Sequence, residues 1–198
     1  MILTFYLATK NKNKISEIQD ILKNTGILVK PAPADIVFPE ETGESFQENA
    51  LIKARHLKKF IGKEPVAGED AGLVVEKLGN LPGVLSARFA GEPRDDRKNI
   101  ERLLELLLPY KEIKDRKAKF IAVVALIDNN EEKTFRGEVD GFITFTPRGN
   151  NGFGYDPVFE ILSIGKTFAE LTKEEKDRIS HRAIAFRKLA DYMLNKVK

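Results

Sequence analysis

Four short stretches carry side chains that could do chemistry, and each sits awkwardly with local structural preference. Thr9-Lys10-Asn11-Lys12-Asn13-Lys14 crowds three lysines just after an apolar run and just before a helical one. Cations at a helix N-terminus oppose the macrodipole and cost a few tenths of a kcal/mol each, roughly, unless an anion offsets them. A phosphate there would be favoured by backbone N–H groups, dipole and lysines together. The stretch is not a Walker loop, because no G-x-x-x-x-G-K-[ST] is present. The acids Glu40-Glu41 and Glu69-Asp70 form adjacent pairs. Neighbouring carboxylates repel unless a cation or a hydrogen-bond network intervenes. Oxygen-only ligands suit Mg²⁺, which takes one or two carboxylates plus substrate phosphates. With two His and no Cys, a zinc site is disfavoured.

The third stretch, Gly152-Phe153-Gly154-Tyr155-Asp156-Pro157, flanks an aromatic with glycines. Such a segment brings backbone close to a ligand and presents a ring face. Phe153 could stack on a base and Asp156 could accept a hydrogen bond from a purine N–H. The fourth, Ser180-His181-Arg182, opens the last helix: Ser180 is an N-cap, and Arg182 offers a planar fork of donors for a phosphate or carbonyl oxygen. Taken singly, each stretch also has an ordinary reading. These are a solvated Lys/Asn turn, a salt-bridged acidic turn, a tight turn whose rings fill the core, and a pair of surface cations held by Glu174, Glu175 or Asp177.

These residues need elements to position them, and the pattern predicts alternating strands and helices. Ile2–Ala8 reads as a buried strand. A helix follows over about Asn13–Lys23, with Ile15, Ile18, Ile21 and Leu22 on one face. Ser45 and Glu48 form a capping box for a helix bearing Phe46, Ala50, Ala54 and Leu57, which Gly62 stops. Pro65–Gly68 reads as a short strand leading into the acidic pair, and Leu73–Leu78 as another. Asp95 or Asp96 caps a helix carrying Ile100, Leu103, Leu104, Leu107 and Leu108, ended by Pro109. Lys117–Ile127 and Lys133–Phe145 flank Asp128-Asn129-Asn130 as a hairpin. Thr172 and Glu175 form a second capping box, and a helix from His181 closes the chain with Ala185, Leu189, Tyr192 and Met193 on its stripe. The expectation is a mixed α/β domain whose hairpin brings an antiparallel portion.

Composition sets the outer bounds. The chain has 198 residues, 42% hydrophobic and 32% charged, with 33 basic against 30 acidic side chains and a net charge of +3. That supports a sizeable core and argues against disorder or a disulfide scaffold. At roughly 150 residues per domain, one domain or two closely packed lobes are expected. No apolar run approaches the ~20 residues of a membrane span, and no secretory pattern is evident, so a cytosolic protein is expected. A charge of +3 does not by itself point to nucleic acid.

The stretches recur in a recognisable order. T-x-N-x-x-K (Thr9, Asn11, Lys14), E-T-G (Glu41–Gly43), E-N-A-x-x-K-A (Glu48–Ala54), E-D-A-G-L (Glu69–Leu73), L-P-G-V-x-S-A-R (Leu81–Arg88), G-F-G-Y-D-P (Gly152–Pro157) and S-H-R (Ser180–Arg182) span about 180 residues. In this the chain resembles the inosine triphosphate pyrophosphatase family, the non-canonical purine nucleoside triphosphate pyrophosphatases. G-F-G-Y-D-P with a downstream S-H-R is highly specific as a pair.

The resemblance implies a single pyrophosphatase domain over residues 1–198, acting as a Mg²⁺-dependent cytoplasmic homodimer. Its fold would be two-lobed α/β around a long mixed sheet flanked by helices, with the active-site cleft between lobes. It implies hydrolysis of ITP, dITP and XTP to the monophosphate and pyrophosphate. By similarity, Thr9, Lys10, Asn11, Lys12, Asn13 and Lys14 would cradle the triphosphate, with Lys53 a further phosphate contact. Asp70 would be metal ligand and base for the attacking water. Glu69 and either Glu40 or Glu41 would help hold the metal, Glu41 fitting the E-x-G pattern better. Phe153, Gly154, Tyr155, Asp156, Lys176, His181 and Arg182 would contact the nucleotide. One departure stands out: where bacterial members usually read D-D-S-G, this chain reads Glu69-Asp70-Ala71-Gly72, so Ala71 lacks a hydroxyl expected against substrate. Two other readings are a pyrophosphatase for canonical or methylated nucleotides and a non-catalytic nucleic-acid-binding module. The carboxylates argue against the latter, since they repel a phosphate backbone.

Overall fold

The computed structural model describes residues 2–129 and 131–196. In chain order the elements are β1 (Leu3–Leu7), α1 (Lys12–Leu22), β2 (Ile27–Pro31), α2 (Phe46–Ile61), β3 (Val66–Val75), β4 (Leu81–Pro82), α3 (Asp96–Leu106), β5 (Lys117–Asp128), β6 (Glu131–Ile143), β7 (Phe159–Ile161), α4 (Lys173–Ile179) and α5 (His181–Asn195). The strands form one seven-stranded sheet in the order β2-β1-β3-β5-β6-β7, with β4 paired to β3. β1 is parallel to both β2 and β3, whereas β4 on β3 and β7 on β6 are antiparallel. The expected mixed α/β fold with an antiparallel portion is what forms.

Two compact units divide the chain. The first holds the residues up to Asp70, Ala122–Gly137 and the chain from Ser180 onward; the second holds Ala71–Ile121 and Glu138–Ile179. In the first, Phe5 of β1 stacks on Phe186 of α5 with ring centroids 6.3 Å apart, and Leu7, Ile18, Leu22, Leu57, Val66 and Leu189 are fully buried. Helix α1 turns Ile18, Ile21 and Leu22 inward as its 3.6-residue period requires, and α2 does the same with Phe46, Ala50, Ala54 and Leu57. In the second, Phe120, Phe159 and Phe168 form an aromatic cluster with centroids 4.7 to 5.6 Å apart, closed over by Leu73, Leu103 and Leu107.

Glycine lets two helices of the first unit lie unusually close to the sheet. A Cβ at Gly68 would stand 2.1 Å from the Ala50 carbonyl oxygen, and one at Gly137 2.0 Å from that of His181. The small side chains of Ala50 and Ala54 serve the same approach. It brings the next polar residues of α2, Asn49 and Lys53, onto β3, and seats the first turn of α5 on β6.

Several boundaries differ from expectation. Pro65–Gly68 and Leu73–Leu78 are not two strands: Val66–Val75 is one, and Glu76–Leu78 is a 3₁₀ turn. Both faces of β3 are covered, so the acidic pair stays in the extended chain as buried residues. β6 stops at Ile143, short of Phe145. The β5–β6 connection is so short that it joins the strands only as an antiparallel hairpin, with Asn129 at φ +54°; Asn130, also assigned to that turn, lies outside the described residues. Asp95, not Asp96, caps α3 by accepting from the Lys98 N–H. The Ser45–Glu48 box is half formed. Ser45 accepts from the Glu48 N–H, while the Glu48 carboxylate accepts from Glu44 instead. The Thr172–Glu175 box forms in both directions. β2 and β7 were not anticipated.

Candidate active site

In the first unit the acidic pair sits in the middle of β3, and strand alternation sends its two side chains to opposite faces. Glu69, 2% exposed, meets α1 and α5: one carboxylate oxygen lies 2.6 Å from Lys14 Nζ and the other 3.1 Å from Arg182 Nε. Arg182 reaches on to Glu17 at 2.6 Å. Asp70, 6% exposed, meets α2 instead: Lys53 Nζ lies 3.2 Å from one oxygen and Asn49 donates to the other at 3.2 Å. Lys53 also holds Glu41 at 2.7 Å, and Asn49 accepts from the Gly43 N–H at 2.8 Å. A single helix thereby ties the E-T-G loop to the strand carboxylate. Three cations (Lys14, Lys53, Arg182) face four carboxylates (Glu17, Glu41, Glu69, Asp70).

The two adjacent carboxyls titrate in opposite directions. Burial pushes Glu69 up, but Lys14 and Arg182 overcome it and hold the group well below the usual carboxylate range. Burial raises Asp70, Lys53 and Lys14 only partly oppose it, and the charges of Glu41 and Glu69 add to the rise. Lys53 is itself pulled down by burial and restored past its ordinary value by Asp70 and Glu41. A carboxylate poised above its ordinary range, flanked by fixed charge, has the character of a proton acceptor.

The Lys/Asn loop has a local logic of its own. Thr9 Oγ1 accepts from the Asn11 N–H at 3.1 Å, and Asn11 caps α1 by accepting from Asn13 and Lys14 at 3.0 and 3.3 Å. Two of the helix's free N–H groups are therefore already taken, so an anion at this end would be met chiefly by side chains. Lys10, Lys12 and Asn13 are exposed, Lys10 reaching the Ala34 carbonyl, while Lys14 turns inward to Glu69. Glu40 is exposed, in contrast to Glu41. His181 is buried at the start of α5.

In the second unit the G-F-G-Y-D-P loop folds around its own aspartate. Asp156 Oδ2 accepts from the Phe153 N–H at 2.8 Å and from Lys176 Nζ at 2.5 Å. The lysine also stands 4.9 Å from the centre of the Phe153 ring. A Cβ at Gly152, where φ is +77°, would sit 2.0 Å from that same Asp156 oxygen, so only glycine fits. Tyr155 is buried and donates to the Ser86 carbonyl at 3.0 Å, which accounts for part of the L-P-G-V-x-S-A-R motif. Ala71, half-buried, follows Asp70 along β3.

Among residues with expected roles, the first unit thus gathers Glu41, Lys53, Glu69, Asp70, Lys14 and Arg182, and the second gathers Phe153–Asp156 with Lys176. Glu17 and Asn49 were missed. Asn49 was visible inside E-N-A-x-x-K-A, but nothing local marked Glu17, whose partner lies 165 residues away.

The fold and this centre define a mixed α/β protein built around a buried ionic cluster on one strand. The chain belongs to the Ham1 family, whose model matches residues 5–192. It is 45% identical to a dITP/XTP pyrophosphatase of Thermoanaerobacter sp. (strain X514), covering 97% of both chains. It is 46% identical to the dITP/XTP pyrophosphatase of Bacillus subtilis (strain 168), covering 93% of each. Among solved structures, a HAM1 protein from Coxiella burnetii superposes with a TM-score of 0.88 at 39% identity, covering 98% of this chain and 99% of the other.

Proposed function

We propose that this chain hydrolyses the non-canonical purine nucleoside triphosphates ITP, dITP and XTP to the monophosphate and pyrophosphate. The observation that carries the reading is the setting of Asp70: buried, raised above its ordinary range, and oriented by Lys53 and Asn49. The names and high coverage of the relatives support the substrate class.

Asp70 accepts a proton from a water as its oxygen attacks the α-phosphorus. The bond from that phosphorus to the bridging oxygen breaks, and pyrophosphate leaves with the electron pair. Lys53 keeps Asp70 oriented between turnovers and limits the rise of its pKa. The exposed Lys10 and Lys12 attract the polyphosphate, and fixed cations of this kind stabilise charge moving onto a leaving group. Phe153 offers its ring to the purine, and Asp156, held by Lys176, is the polar partner for a base N–H. Discrimination turns on purine position 6, where hypoxanthine and xanthine carry a carbonyl and adenine an amino group. A site built around a donor there rejects the wrong base by up to ~10⁴-fold. A donor such as Arg182 or a backbone N–H would serve there, and Arg182, with Nε on Glu69 and a second nitrogen on Glu17, also neutralises Glu69.

The donor set also fits Mg²⁺. Glu41 and Asp70 converge on one cation, the Lys53 ammonium, and carboxylates outnumber cations in the cluster. No group of three or more His, Cys, Asp or Glu stands ready for a metal among the described residues, but Mg²⁺ needs only one or two carboxylates beside phosphates and water. Glu41 and Asp70 would hold it; both Glu69 oxygens are already on cations, and Glu40 is exposed. When bound, the ion supplies charge neutralisation and acidifies water. No helix among the described residues is long and apolar enough to cross a membrane. The reading extends to a single catalytic domain acting as a cytoplasmic homodimer.

The test is pyrophosphate release from ITP, dITP, XTP, GTP, ATP and dTTP, with and without Mg²⁺. The expected result is Mg²⁺-dependent release from the first three, with GTP, ATP and dTTP far slower. Equal turnover of GTP or dTTP would overturn the substrate assignment.

A further inference from the structure

The aromatic loop of the second unit is fastened from outside by a residue to which neither the family motifs nor the relatives' names assign a role. Asp96 is the first residue of α3, next to the cap Asp95, and its Oδ2 accepts from the Gly154 N–H at 2.8 Å. Gly154 directly follows Phe153 and has φ +62°, a setting glycine adopts freely, so its backbone is not fixed by its own sterics. The other Asp96 oxygen lies 3.1 Å from Arg94, which keeps the carboxylate turned toward the loop. Helix capping does not explain the contact, because Asp95 already fills that role through Lys98.

Within the loop, the Phe153 carbonyl accepts from the Asp156 N–H at 3.3 Å, and the Asp96 contact adds the one bond that reaches the Gly154 N–H from α3. Asp156 gathers Phe153 N–H and Lys176 within the loop, and Tyr155 anchors the following residue to Ser86. The peptide between Phe153 and Gly154 is thus held at both ends, its carbonyl by Asp156 from within the loop and its N–H by Asp96 from outside, and a twist of this peptide would turn the Phe153 ring.

We propose that Asp96 is a positioning residue for nucleobase recognition, clamping the Phe153–Gly154 peptide so that the Phe153 ring and Asp156 keep their binding arrangement. The inference rests on the proposed function, since it assumes that this loop receives the purine. Asp96 holds no part of the ionic cluster on β3, so its loss should act on base binding and leave the chemical step intact.

The test is steady-state kinetics of Asp96→Ala and Asp96→Asn with ITP, alongside thermal melts and exchange of the Gly154 amide proton. Losing a hydrogen bond to a charged acceptor predicts a KM raised ~10-fold in Asp96→Ala with kcat within about twofold. Asp96→Asn retains a neutral acceptor and should raise KM ~3-fold, with Gly154 exchange faster in both. An unchanged KM, or a fall in kcat matching the rise in KM, overturns the proposal. If Asp96→Ala does not fold, the same two criteria are read from Asp96→Asn. Failure of the functional reading shows separately, as wild-type protein that releases no pyrophosphate from ITP.

Discussion

The ionic cluster on β3 and the aromatic loop before α4 are built by different means. Every charged member of the cluster comes from a regular element or the loop bound to it, and its ion pairs join residues from 12 to 165 positions apart, Lys53 with Glu41 at one extreme and Arg182 with Glu17 at the other. The aromatic loop is a turn folded around its own aspartate: Asp156 bonds a residue three positions earlier and a lysine twenty later, glycines with positive φ shape it, and Asp96 and the Ser86 carbonyl fasten it from outside. On the proposed function, the cluster is where charges must stay fixed while a bond breaks, and packed strands and helices would hold them. On the same reading, the loop admits a planar base, for which a compact turn with one ring and one aspartate would suffice. The comparison predicts that damage to the first region removes catalysis or stability, and damage to the second removes affinity.

The sharpest break in that contrast is Asp70→Asn. It keeps the shape and a partner for Asn49 but removes the proton acceptor, so kcat should fall by ~10³-fold or more while nucleotide still binds, within the range for losing a general base or more. Pyrophosphate release and equilibrium binding of ITP measure the two halves. Residual kcat near the wild-type value would remove Asp70 from the role of base.

Glu69→Gln probes stability in the same region. It takes the carboxylate from both Lys14 and Arg182, the latter 3% exposed. Breaking a buried pair by removing one partner costs about 3–5 kcal/mol, which denaturant unfolding would register directly. The loop's own ion pair, Lys176 with Asp156, gives the comparison. Lys176→Met should raise KM for ITP more than it lowers kcat, and an effect confined to kcat would erase the distinction between the regions.

The opposed titrations give a pH signature for the metal-free protein. Glu69 is depressed in the folded state, so its contribution to stability is full above the ordinary carboxylate pKa of about 4.3 and is lost as pH falls through the lower folded value. Asp70 is raised, so the folded state binds its proton more tightly, and falling pH through that range adds stability. The sum predicts shallow pH dependence just above pH 4 and a steep loss only in stronger acid. Glu69→Gln should abolish the steep loss and keep the shallow portion. Stability against urea at stepped pH measures both.

Much of this was legible because motif residues explain one another locally. Asn11 caps the helix that delivers Lys14, and Gly68 with Ala50 and Ala54 seats the helix that delivers Lys53. One cause of what was illegible is partnership across long sequence distance. Glu17 looks like one more polar residue of α1 until Arg182 is folded beside it. Arg116, 3% exposed, has no motif. It is held by the carbonyls of Leu107, Tyr110, Ile143 and Thr144, with burial lowering its pKa. β2 was hidden by its length of five residues and its terminal proline, and the continuity of β3 by Gly68 and Gly72, which read as breaks but occupy a fully covered strand.

The finest of these effects belongs to Ala71, one residue beyond Asp70 on β3 and half-buried. Strand alternation returns it to the face that Glu69 occupies, away from Asn49 and Lys53. A hydroxyl here adds no group near Asp70's oxygens and should leave proton transfer unchanged. Ala71→Ser is therefore expected to act on binding: a neutral hydrogen bond to substrate is worth on the order of 1 kcal/mol, lowering KM about fivefold, with kcat rising less. A rise in kcat at constant KM would mean that the hydroxyl reaches the reacting centre, and that the side of β3 bearing Glu69 takes part in the chemical step rather than in holding its charges.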